Sequence, residues 1–125
     1  MDIKKQIAYW KQGAEEDIDV SQVLIDKRKW RHALFFAHLA LEKMLKATIV
    51  HTTKDIPPKI HNLVRLAHLT NLNFTDEQLN FFRLFNVYNI EGRYPDEFPV
   101  PISNEVARRE MDAAREMIDW LKAKL

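Results

Sequence analysis

Apolar residues recur every three or four positions at the start of the chain: Ile3, Ile7, Trp10, Ala14, Ile18 and Ile25, with Ser21 in register. That is the spacing of one helix face and predicts a helix over residues 3–27. A basic break follows at residues 27–31. The pattern then resumes through Ala33, Leu34, Ala37, Leu41, Met44, Leu45 and Thr48, predicting a second helix as far as about His51. At about 100° per residue, Phe35 and Phe36 lie off that stripe, so the second helix is apolar over much of its circumference. Such a helix belongs at the centre of a bundle or at an oligomer interface.

Residues 52–60 contain Pro57-Pro58, which lacks backbone donors and biases Ile56 away from helical geometry. A short helix then carries Leu63, Leu66, Ala67 and Leu69, and residues 71–74 interrupt it. Thr75 with Gln78 three residues on is a capping pair, opening a fourth helix through Leu79, Phe82, Leu84 and Phe85 to about Ile90. Residues 91–101 hold Gly92, Pro95, Pro99 and Pro101 and cannot be regular helix. Ser103 caps a last helix, with Val106, Glu110, Ala113, Met117 and Trp120 or Leu121 expected along its inner side. The chain therefore reads as an all-α bundle of four to five helices, one domain over residues 1–125.

Composition removes several chemistries. The 125 residues include no cysteine, which excludes disulfides, thiolate nucleophiles and Cys-ligated metal sites. Two isolated glycines, Gly13 and Gly92, cannot build the Gly-rich loops that cradle phosphates. The formal net charge is only +1, so any anion-binding surface must be local. The first eight residues lack the apolar core of a signal peptide, and no stretch approaches ~18 uninterrupted apolar residues. A soluble, cytoplasmic protein without a membrane contact is the expectation.

Four features remain as candidate chemistry. Asp17 falls on the apolar stripe of the first helix and needs a cation there, for which Lys46 is the candidate. His38, Glu42 and Lys46 share one stripe of the second helix at four-residue spacing, with Lys43 further round; Asp17, Lys46 and Glu42 are read as a structural ion-pair group. A metal reading of His38 and Glu42 supplies only two ligands, with His61 a speculative third, and no metal or other cofactor is expected. The run from Lys27 to His32 surrounds Trp30 with cations that suit phosphates or an ordinary solvated turn. The sharpest feature is Arg93-Tyr94-Pro95-Asp96 after Gly92, a guanidinium suited to hold a phosphate or carboxylate bidentately, with Asp96 to orient it.

Taken together, Asp17 in Ala-Glu-Glu-Asp-Ile, the run from Trp30 to His38 leading to Leu41-Glu42-Lys43-Met44-Leu45-Lys46-Ala47, His61-Asn62-Leu63 and Arg93-Tyr94-Pro95-Asp96 resemble the HEPN domain, the "higher eukaryotes and prokaryotes nucleotide-binding" family. The resemblance spans nearly the whole chain. It implies an up-and-down helical bundle that homodimerises and works beside a nucleotidyltransferase-fold partner in a two-gene, toxin–antitoxin-like system. Arg-Tyr-Pro-Asp resembles the branch proposed to bind nucleotides, which points to Arg93, Tyr94, Asp96, Lys43, Lys46 and His61 as the nucleotide site.

Other members of that family are metal-independent endoribonucleases with an Arg, four to six residues, then His. Here no histidine follows Arg93, the last being His68. Arg31 and His38 have the six-residue gap but sit at the start of the second helix, where the family does not place that pair. Three readings follow: a nucleotide-binding module; an RNase toxin using Arg93 with His61 or His38 as general base; and a non-catalytic dimerisation module built on Phe35 and Phe36.

Overall fold

The computed structural model describes residues 1–89 and 101–125. Among the described residues five helices are complete: α1 (Ile3–Asp26), α2 (Trp30–Thr53), α3 (Leu63–Leu69), α4 (Asp76–Phe85) and α5 (Asn104–Lys122). Their starts follow local rules. Asp2, Asn62, Thr75 and Ser103 each accept backbone N–H bonds of the first turn, and Thr75 with Gln78 forms the reciprocal capping box.

The break between α1 and α2 is shorter than the basic run implies. Arg28 takes the left-handed conformation at φ 60°, and Arg28 N and Lys29 N donate to the carbonyls of Ile25 and Leu24. That is a Schellman closure of α1 without glycine. Trp30 and Arg31 consequently belong to α2.

Packing centres on α2, which lies against α1, α3 and α5, while α3 rests on α4 and α1 touches α5. Every residue from Ala40 to Val50 except Lys43 is buried. A helix hidden over so much of its circumference must carry apolar residues all round, and α2 does. The α1 stripe Ala14, Ile18, Ser21 and Ile25 is buried as its period predicts. Ser21 satisfies its hydroxyl by donating to the Ala33 carbonyl at 2.6 Å.

One expectation shifts. In α5 Met117 and Leu121 are buried as expected, but before them Ala107, Met111 and Ala114 are buried in place of Val106, Glu110 and Ala113, and Ile118 joins them. The rotation takes Glu110 out of the core, where its carboxylate lies 3.8 Å from Arg109 rather than paying for desolvation. Phe35 and Phe36 are half-buried and meet edge to face at 5.8 Å. Among the described residues no helix is long and apolar enough to cross a membrane.

Candidate functional site

The charged residues of α2 resolve into two ion pairs. Asp17 is met by Lys43 Nζ at 2.7 Å, not by Lys46. The reason lies in Gly13, one turn before Asp17 on α1: a Cβ there would stand 3.1 Å from Lys43 Cδ. Without that Cβ the Lys43 stem lies close against α1 and reaches the carboxylate one turn on. Gly13 thus makes room for the Lys43 stem.

Lys46 turns instead to its own helix. Its Nζ donates to Glu42 Oε2 at 3.0 Å, and its ammonium lies 5.3 Å from the Trp10 ring centroid. Both residues of this pair are 5% exposed. The other carboxylate oxygen, Glu42 Oε1, is 3.0 Å from His61 Nδ1, and the His61 side chain is 55% exposed. A buried carboxylate is therefore answered once from inside by a lysine and once from the surface by an imidazole.

His61 is placed by the turn it begins. Asn62 caps α3, and its Oδ1 also accepts from Asn86 Nδ2 at 3.2 Å. Asn86 Oδ1 in turn accepts from Leu63 N at 2.9 Å. These bonds join the end of α4 to the start of α3, next to His61. Asn89, three residues beyond Asn86, is the last residue described before residue 101.

The expected site residues thus divide. Glu42, Lys46 and His61 come together; Lys43 joins Asp17; and Arg93, Tyr94 and Asp96, with Gly92 and Pro95, lie outside the described residues. His38 is fully buried. Among the described residues no group of three or more His, Asp or Glu could hold a metal ion. The Lys27-to-His32 run carries Trp30 half-buried with the Arg108 guanidinium 5.7 Å from its ring centroid.

Trp10, Gly13 and Asn86 are the site residues that sequence reasoning passed over. Trp10 read as one more member of an apolar stripe, and Asn86 as a helix-end residue. Only the crossing of α1 over α2 and the return of α4 reveal what they touch.

Paired charges cancel in this cluster. Asp17 offsets Lys43 and Glu42 offsets Lys46, leaving His61 as the surplus basic group with solvent access. Its chemical capacity is to hold an anion, or to move a proton on an imidazole oriented by a buried carboxylate.

Comparison with known proteins bears on the fold and family. The crystal structure of TT1696 from Thermus thermophilus matches with a TM-score of 0.81, over 96% of this chain and 98% of that one, at 21% sequence identity. That similarity is one of fold. No curated protein matches. The HEPN domain family model matches residues 7–124, a span that enters all five helices and contains both ion pairs and the Arg-Tyr-Pro-Asp segment. The chain belongs to the HEPN domain family.

Proposed function

We propose that this HEPN protein binds a nucleotide, as a cytoplasmic homodimer working with a nucleotidyltransferase-fold partner in a two-gene, toxin–antitoxin-like system. One observation carries the nucleotide reading. His61, the surplus basic group, is braced by Glu42 beside Asn62, which is tied to the end of α4. Arg93 follows Asn89 by four residues, so an extended chain at ~3.3–3.6 Å per residue bounds their separation at roughly 14 Å. The reading puts Arg93 and His61 on one phosphate. In this reading Arg93 takes the phosphate bidentately, with Tyr94 and Asp96 beside it. Lys43, a third exposed but matched by Asp17, contributes to the phosphate only by leaving that pair, while Lys46 acts through Glu42.

Calorimetry with ATP and GTP tests the reading. Saturable heat for the parent, lost in Arg93→Ala and reduced in His61→Asn, is the expected result. Absence of heat at high micromolar nucleotide, together with no co-elution with the product of an adjacent nucleotidyltransferase gene, overturns it.

The Glu42–His61 contact also favours a second reading, a metal-independent RNase. A carboxylate at 3.0 Å from Nδ1 fixes the ring and leaves Nε2 for proton transfer, the arrangement of an oriented general base. His61 would replace the histidine missing after Arg93, and Arg93 would stabilise the phosphorane. His38, buried inside α2, cannot take that part without moving. RNA cleavage in the presence of a chelator, lost in both Arg93→Ala and His61→Asn, distinguishes this from simple binding. Equal cleavage by Arg93→Ala removes Arg93 from catalysis.

A further inference from the structure

The outer side of α1 carries a second helical stripe, distinct from the buried one that faces α2. Glu16, Val20, Val23 and Lys27 follow one another at spacings of four, three and four residues, and all four are exposed. Val20 is 39% and Val23 57% exposed, two apolar side chains one turn apart. We propose that this stripe is an isologous interface, on which α1 of a second copy of the chain lies antiparallel.

The order of charge is the first argument. The stripe reads acid, valine, valine, base. A two-fold axis between Val20 and Val23 sets Val20 against the partner's Val23 and Glu16 against the partner's Lys27, and each contact occurs twice. A parallel pairing would set glutamate on glutamate and lysine on lysine, which costs stability. The stripe is thus complementary to itself in one orientation. Neither charge is committed to an ion pair among the described residues: Glu16 accepts from Gln12 Nε2 at 3.2 Å, and Lys27 meets no carboxylate.

The surroundings are the second argument. Alternating spacings of three and four are those of a coiled-coil seam, which keep one edge of a helix against its partner. The Asp17–Lys43 pair and the Ser21–Ala33 bond show that α2 runs antiparallel beside α1. That register brings Phe36 and Leu39 of α2, both half-buried, alongside the valines and widens the apolar surface. On its other flank α1 meets α5 through Glu15–Lys122 and Gln22–Arg115, neither of which uses the stripe. The interface rests on the homodimer proposed above, and on no residue of the nucleotide site.

Sedimentation of the full chain at concentrations up to about 500 μM tests it. The parent should show a monomer–dimer equilibrium. Val23→Glu should abolish the dimer and leave the unfolding midpoint unchanged, as suits an exposed position. Glu16→Lys and Lys27→Glu should each weaken association roughly tenfold, because every contact occurs twice. The doubly reversed chain should recover the parent's constant to within about threefold. A dimer that survives Val23→Glu overturns this interface and leaves the homodimer standing, whereas a parent that stays monomeric removes both. Two charge reversals whose losses simply add also overturn it.

Discussion

Glu42 and Asp17 are both carboxylates answered by a lysine of α2, yet burial gives their pairs different weight. Lys46 is 5% exposed, and removing Glu42 would leave its ammonium without a counter-charge inside the bundle. Glu42→Ala should therefore lower unfolding free energy by about 3–5 kcal/mol. Lys43 is a third exposed, so Asp17→Ala should cost no more than about 1 kcal/mol. Urea denaturation of the two variants checks the ranking, and equal losses would contradict it. Gly13→Ala sets a helix-propensity gain of up to about 1 kcal/mol against the Lys43 stem. Because that stem is flexible and partly solvated, the net effect should be a small rise in melting temperature with a weakened Asp17–Lys43 pair. The Glu42–Lys46 pair was legible from its four-residue spacing. Asp17's partner was not, because Lys43 and Lys46 sit one turn apart and the choice depends on how closely α1 approaches α2 at Gly13.

At the scale of elements, starts were more legible than facing directions. Thr75, Gln78 and Ser103 carry capping chemistry in their side chains, so α4 and α5 begin where their residues say they do. The inner side of α5 was legible at Met117 and Leu121 but one residue off before them, because Val106, Ala107, Ala113 and Ala114 give apolar choices on adjacent stripes; packing against α2 decides between them. The far end of α5 is held to α1 by Lys122 Nζ and Glu15 Oε1 at 2.9 Å. Glu15, by its hydrogen bond and then its charge, holds the Lys122 ammonium above its ordinary pKa of 10.5. A raised lysine pKa stabilises the fold fully below the unfolded value and ceases to do so as pH rises through the folded one. Lys122→Met should thus lower the urea midpoint slightly at neutral pH and leave it unchanged above the raised pKa. The effect is small because both side chains are nearly half exposed.

For the whole molecule, α2 is the element against which the others are built. Leu41 is fully buried on it, and Leu41→Ala should cost about 2–5 kcal/mol in a single cooperative transition, measured by thermal or urea unfolding. An all-helical bundle was legible because the apolar period runs through most of the chain and so few glycines and prolines interrupt it. The site was legible only in part. Residue type marked Glu42, Lys46 and His61 as candidates, but the distance of 19 positions between Glu42 and His61 closes only when α3 returns along α2. Asn62 and Asn86 finish that return, joining the start of α3 to the end of α4. They make the two short helices a closed hairpin whose open side is latched by side chains. A protease cut at its tip, between Asn71 and Phe74, would leave two fragments still held together at the latch, so this turn is a natural place to split the protein into complementing halves.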